Sequence, residues 1–312
     1  MQPDEATAQI LAVVNSAEVD PAERTPQTSR EAYRGLSLML PEGADVLVTN
    51  RSVPGPAGEI PVRVYTPEGQ GPFGVLMYIH GGGWVIGDLD THDHTCRSLC
   101  DEAGVMVVSV DYRLAPENPF PAAVDDCWSV LEWLGSHAGE LGGDPNRIAV
   151  GGDSAGGNLS AVLALMARDA GGPKIKAQLL VYPAVDMTAQ NIEKYPSLTE
   201  NAEGYLLTLD SMVWFGEQYL TDEQQRNDWR VSPMLATNHA ELPRALVITA
   251  GFDPLRDEGT AYAKKLSDAG VETEHLHYPT TIHTMFQLGP VIPAGAEAIS
   301  AAAELLRETI GS

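Results

Sequence analysis

Five short apolar runs, each closed off by polar or turn-forming residues, constrain the fold of this chain more than any other feature. They are Val75–Ile79, Val105–Val110, Arg147–Val150, Ala177–Val181 and Ala245–Thr249. Runs of four to six residues without strict alternation are strands buried on both faces, the texture of a parallel sheet covered by helices. Amphipathic segments between and beyond them predict helices over 91–103, 121–137, 155–169, 257–269 and 296–309. The repeated β-α order specifies an open α/β sheet. Val62–Tyr65 alternates like a half-buried strand, and Glu274–Tyr278 reads as the last one. No internal repeat or low-complexity stretch interrupts the pattern.

Two segments stand outside it. Residues 187–230 fall between two strands and carry helix-like spacing at 209–220 but no strand-like run. An insertion of that length is usually a lid rather than a bare loop. Residues 1–50 show helical spacing at Ile10, Val13 and Val14 and again around Leu36–Leu40. The expected plan is a catalytic α/β domain formed by residues 51–186 and 231–312, with a helical cap from residues 1–50 and 187–230.

The charge restricts partners. Forty-three acidic against nineteen basic side chains give a formal charge of −24 in 312 residues. Such a polyanion is repelled by phosphate backbones and anionic lipid, which argues against nucleic-acid or membrane-surface binding. The 44% hydrophobic content supplies a sizeable core. Three cysteines cannot build a disulfide framework, and with no basic, apolar leader at the start the expectation is a cytoplasmic protein.

Gly152-Asp153-Ser154-Ala155-Gly156 follows the run ending at Val150 and precedes a helical stretch. This strand–turn–helix setting makes Ser154 a candidate nucleophile, because a sharp turn lifts its hydroxyl above the sheet edge. The Ala155 N–H would then sit at a helix N-terminus, where positive potential favours a developing oxyanion. A phosphate-binding turn is the rival reading, but neither the G-x-G-x-x-G spacing nor a following lysine is present. His80-Gly81-Gly82-Gly83-Trp84 closes another strand, and its glycines expose backbone N–H groups that can hold a carbonyl oxygen. Alone this run would read as a flexible turn; both elements lying at carboxyl ends of strands reinforces the catalytic reading.

Eight histidines compete for the role of base. His275 and His277 alternate on a strand, and His137 and His239 stand in polar, surface-like contexts. His283 lies in a loop after the last strand, where it can reach the serine. Asp253 follows the strand ending at Thr249 directly and is the first choice for the acid, with Asp257 the alternative; Asp257 and Glu258 suit the first turn of the next helix. Asp88, Asp90, His92, Asp93 and His94 crowd seven residues and could suggest a divalent metal, but they start a helix where acids act as caps, so no metal is expected. Cys96 and Cys100 read as buried small hydrophobes.

Taken together, these motifs resemble the hormone-sensitive lipase family of α/β-hydrolases, the bacterial carboxylesterases. The carriers are His80–Trp84, Asp111–Glu117, Pro119–Ala123, Gly152–Gly157, Asp253–Asp257 and His283, in family order over roughly residues 75–290. The resemblance implies the α/β-hydrolase fold, a Ser154–Asp253–His283 triad and oxyanion donors from the amides of Gly81, Gly82 and Ala155. It also implies a helical cap, no cofactor and a homodimer through the last strand. Thr284 departs from the pattern, since the family commonly has glycine after the histidine, so a different local backbone is expected.

The expected activity is serine carboxylesterase action on short- to medium-chain esters through an acyl-enzyme. An amidase with the same triad is the alternative, and a non-catalytic receptor on this fold is disfavoured by the three triad positions. Trp84, Tyr205, Leu206, Trp214 and Phe215, together with Leu207, are candidates for an apolar substrate pocket or, equally, for the cap's own core. Residues 1–50 and 187–230 each hold eight acidic and three basic side chains. An entrance so charged should disfavour anionic esters.

Overall fold

The computed structural model describes residues 1–16, 24–188 and 191–311. One eight-stranded sheet runs in the order β1-β2-β4-β3-β5-β6-β7-β8. Its strands are β1 (Leu47–Gly55), β2 (Gly58–Thr66), β3 (Phe73–Ile79), β4 (Met106–Val110), β5 (Gly143–Asp153), β6 (Ile175–Val181), β7 (Arg244–Phe252) and β8 (Thr273–Ile282). Strands β3 to β8 pair in parallel, while β1 and β2 form a hairpin added antiparallel to β4. The five apolar runs are the inner strands, and β3 and β4 are buried at every position.

Side chains alternate across β3 between the two helical layers. Val75, Met77 and Ile79 meet α4 (Ala122–His137) and α5 (Ala155–Ala170), through residues such as Leu131 and Leu159. Leu76 and Tyr78 meet α3 (Asp93–Ala103) and α10 (Pro293–Ile310), where Leu99, Cys96, Cys100 and Leu306 are buried. Each large aliphatic side chain fully removed from water in these layers contributes about 1.5–3 kcal/mol. A third cluster seats α9 (Arg256–Asp268) on β7 through Tyr262 and Leu266.

The two segments outside the alternation supply the remaining helices: α1 (Glu5–Ser16) and α2 (Pro26–Ser37), then α6 (Asn191–Lys194), α7 (Ser197–Glu200) and α8 (Leu209–Tyr219). They touch each other, since Arg24 pairs with Asp210 at 2.9 Å and the Asn15 amide reaches the Gly204 carbonyl. Helix α2 buries no residue and is held by its arginines. Arg30 donates to the Val85 and Ala115 carbonyls and to the Glu117 carboxylate, while Arg34 pairs with Asp88.

Three expectations need correction. Strand β1 was not anticipated, because Leu47–Gly55 is polar and contains Pro54, as suits an edge strand. Helical spacing around Leu36–Leu40 misleads: α2 stops at Ser37, and Leu38 and Met39 stand in solvent. His239 is buried rather than superficial, with Nε2 3.0 Å from the Pro233 carbonyl and the ring edge-on to Tyr262. Among the described residues no helix is long and apolar enough to cross a membrane.

Candidate active site

The site forms where β3, β5, β6 and β7 end. Ser154 joins β5 to α5 with φ 55° and ψ −116°, a conformation costly for a residue with a Cβ. The turn is possible because a Cβ on either Gly152 or Gly156 would overlap the Ile79 carbonyl at the end of β3. The Ser154 N–H donates to the Val181 carbonyl at the end of β6. Every residue from Ile148 to Leu165 is buried except Ser154. Strain and partial exposure therefore coincide at one hydroxyl. Ala155 opens the sixteen-residue α5, so its N–H has no intrahelical acceptor and points from the positive end of the helix.

Strand β7 and the turn after β8 bring Asp253 and His283 together. The imidazole Nδ1 lies 2.8 Å from Asp253 Oδ2, and the other carboxylate oxygen accepts the Leu255 N–H at 2.8 Å. Both residues are buried. Asp257 is elsewhere: it pairs with Arg256 and accepts the Ser197 N–H in the first turn of α9. Helix α7 braces the Asp253 loop, with Ser197 Oγ donating to the Pro254 carbonyl and the Asn201 amide to those of Gly251 and Asp253. The Tyr182 ring follows β6 and lies 4.4 Å from the imidazole. Ser154 and His283 thus both abut the end of β6.

Thr284 adopts φ 71°, the left-handed conformation that glycine would take without strain. The Thr284 hydroxyl is buried without a hydrogen-bond partner among the described residues.

The glycine loop corrects one expectation. The Gly81 N–H is already donated to Asp153 Oδ1 at 3.2 Å, so it is not available to a substrate. Gly81 is therefore removed from the donor set. Gly82 and Gly83, with φ 114° and 58°, present the next amides, and Phe215 covers the Gly83 Cα so closely that a Cβ there would enter its ring. The His80 imidazole behind the loop is buried, and burial lowers its pKa to about 4, leaving it neutral.

Asp153 is the polar hub behind the serine. It is buried and accepts Tyr78 Oη at 2.8 Å, while His92 Nε2 lies 3.2 Å from the same oxygen. Burial pushes the carboxyl up, but the opposing pull of His92 and the Tyr78 hydroxyl prevails and holds its pKa below the ordinary value. The remaining members of the acidic cluster are engaged by cations: Asp88 by Arg34, Asp90 by Arg63, and Asp93 by Arg63 and Arg97. His94 lies on α3, with Ser98 Oγ 3.4 Å from its Nε2.

The pocket candidates separate by position. Trp84 is turned into the core and stacked on Tyr219 at 4.4 Å with 3° between planes, so its apolar area is spent on packing rather than on an open wall. Phe215 lies over the glycine loop beside Trp214, whose ring faces the Arg24 guanidinium at 5.7 Å. Tyr205 packs at 4.9 Å on Phe252, next to Asp253, and Leu206 adjoins it with φ 74°. These four are partly exposed.

Comparison with known proteins identifies the family. A family model described as the alpha/beta hydrolase fold matches residues 76–287. The carboxylic ester hydrolase LipN of Mycobacterium tuberculosis is 48% identical over 284 residues, covering 88% of this chain and 74% of LipN. Ethyl acetate hydrolase of Pseudomonas putida is 35% identical over 95% of this chain and 92% of its own. The solved hyperthermophilic esterase from the archaeon Pyrobaculum calidifontis superposes with a TM-score of 0.93 at 40% identity, covering 99% of both chains. The chain belongs to the α/β-hydrolase family, in the branch that holds the hormone-sensitive lipases and bacterial carboxylesterases.

Proposed function

We propose that this protein is a serine carboxylesterase in which Ser154 is the nucleophile, His283 the general base and Asp253 its orienting acid. The observation that carries the reading is Ser154 itself, strained and partly exposed beside unengaged amides while its neighbours are buried. His283 takes the Ser154 proton as the hydroxyl attacks the ester carbonyl. The tetrahedral oxygen rests on the amides of Ala155, Gly82 and Gly83. The imidazolium, stabilised by Asp253, returns the proton to the leaving alcohol, and water then hydrolyses the acyl-enzyme by the reverse sequence. Removal of one such donor costs about 2.7–4 kcal/mol of transition-state stabilisation.

The described parts of residues 1–46 and 187–230 serve as a cap over this site, with Phe215 on the oxyanion side and Tyr205 and Leu206 on the acid side. The substrate class that suits these walls is a neutral ester of short to medium acyl chain. Each cation of the two cap segments is already in an ion pair: Arg24, Arg30, Arg34, Lys194, Arg226 and Arg230. None is left over to receive an anionic acyl group. The relatives named as ester hydrolases favour ester over amide cleavage. A p-nitrophenyl ester series from acetate to dodecanoate, with matched anilides, tests the reading. It predicts a maximum at or below octanoate and anilide turnover lower by at least tenfold; equal turnover on esters and anilides contradicts it.

A further inference from the structure

Gln287 lies four residues beyond His283, in the same turn after β8, and is buried although it carries no charge partner of its own. Its carbonyl oxygen accepts the Tyr182 hydroxyl at 2.6 Å. Its amide nitrogen donates to Asp153 Oδ2 and lies 2.9 Å from His92 Nε2. One side chain therefore touches both the aromatic ring behind the base and the carboxylate behind the nucleophile. Asp153 in turn receives the Gly81 N–H of the glycine loop.

The chemistry of these contacts selects an amide. Tyr182 offers a hydroxyl donor on one side, and Asp153 offers an acceptor on the other. A primary amide accepts at one end and donates at the other, which matches both neighbours at once. A carboxylate at 287 would face Asp153 with like charge, and an apolar side chain would leave two buried polar groups without their partner.

We infer that Gln287 is a positioning residue for catalysis, holding the His283 turn in register with the nucleophile turn and the glycine loop. The inference rests on the serine-hydrolase reading above, and assigns Gln287 no contact with substrate. Three elements distant in sequence must agree to a few tenths of an ångström for proton transfer and oxyanion binding to coincide. Ser154, His283 and Gly81 belong to three different strand ends, and the Gln287 amide joins Asp153 to Tyr182 across them.

The test compares the full-length wild type with Gln287→Met, Gln287→Glu and Ser154→Ala on p-nitrophenyl butyrate, with kcat of the three proteins that keep Ser154 referred to sites titrated by a phosphonate and that of Ser154→Ala to protein concentration. Gln287→Met conserves volume and removes both bonds. It is expected to lower kcat per titrated site by about 10- to 100-fold while KM changes less than threefold. Gln287→Glu restores the donor only when its carboxyl is protonated. Its activity relative to wild type should rise at least fivefold from pH 8 to pH 5.5. The titratable groups against residue 287 are Asp153, His92 and Tyr182, with His283, Tyr78, Tyr33 and His80 packed on those. They are common to all variants, so the ratio isolates residue 287. A per-site kcat of Gln287→Met within twofold of wild type overturns the inference, as does a pH-independent ratio for Gln287→Glu. Substantial turnover by Ser154→Ala would instead overturn the serine reading beneath it.

Discussion

The carboxylate of Asp153 accepts the backbone N–H of Gly81 at 3.2 Å, tying the residue before Ser154 to the first glycine of the loop facing it. One consequence is subtraction: this amide cannot also bind a substrate oxygen. The other is support, because a bond from a buried carboxylate fixes the peptide plane that leads into Gly82 and Gly83. Asp153→Asn replaces an acceptor of several donors by a group that offers N–H where some of them point. The variant should lose about 3–5 kcal/mol of stability, the usual effect of breaking a buried charged network from one side. At a temperature where it remains folded, kcat should fall at least tenfold. Urea unfolding and steady-state kinetics check both, and wild-type stability with wild-type kcat would contradict this role.

Thr284 offers a gain. A β-branched residue at φ 71° costs about 1–2 kcal/mol, and its buried hydroxyl lacks a partner. Glycine removes both penalties at an entropic cost of about 0.5–1 kcal/mol. Thr284→Gly should therefore be more stable by about 1 kcal/mol in urea unfolding. A destabilised variant would show that the threonine methyl contributes more packing than its strain removes.

Stability should decline as pH rises from about 5 to 8. Glu258 is buried in α9 and accepts the N–H groups of Val185 and Asp186, where the inserted segment leaves β6. Burial outweighs these donors and raises its pKa to about 8. The folded protein thus holds a proton that the unfolded chain releases near pH 4.5. Its contribution is full below pH 4.5 and is lost as pH rises through 8. At about 1.4 kcal/mol per unit the effect is at most about 5 kcal/mol. Melting temperature should fall between about pH 5 and pH 8 in wild type, level off above that, and fall less in Glu258→Gln. Parallel curves for the two proteins would refute the linkage.

The pairing of every cap cation bears on specificity. A hemisuccinate ester should show kcat/KM at least tenfold below that of the neutral butyrate ester at low ionic strength. The gap should narrow at 0.5 M salt, where the Debye length drops to a few ångströms. Comparable values for the two esters at low salt would mean that the entrance charge is not felt at the serine.

What could be read beforehand was whatever a local rule controls. Strands β3 to β7 are continuous apolar runs because both faces are covered, and Ser154 and the glycine loop are defined by spacing of a few residues. His283 and Asp253 could be chosen because each follows a strand end. The edge strand β1 escaped because solvent on one side removes the apolar signal. Pocket and core stay equal readings for Trp84 because composition cannot say which way a ring turns, and the engagement of Gly81 depends on Asp153, 72 positions away. The roles of Tyr182 and Gln287 rest on contacts spanning 105 and 134 positions and leave no local mark. Asp153 carried one legible hint, its place inside the nucleophile motif.

Mass spectrometry after reaction with a p-nitrophenyl alkylphosphonate tests the central claim most directly. The account predicts one phosphonyl group per chain, located on the peptide carrying Ser154, with release of one equivalent of p-nitrophenol and loss of esterase activity in step. Ser154→Ala should remain unmodified. Full inactivation with the label on any other residue, or an unlabelled wild type that still hydrolyses esters, would contradict Ser154 as the nucleophile.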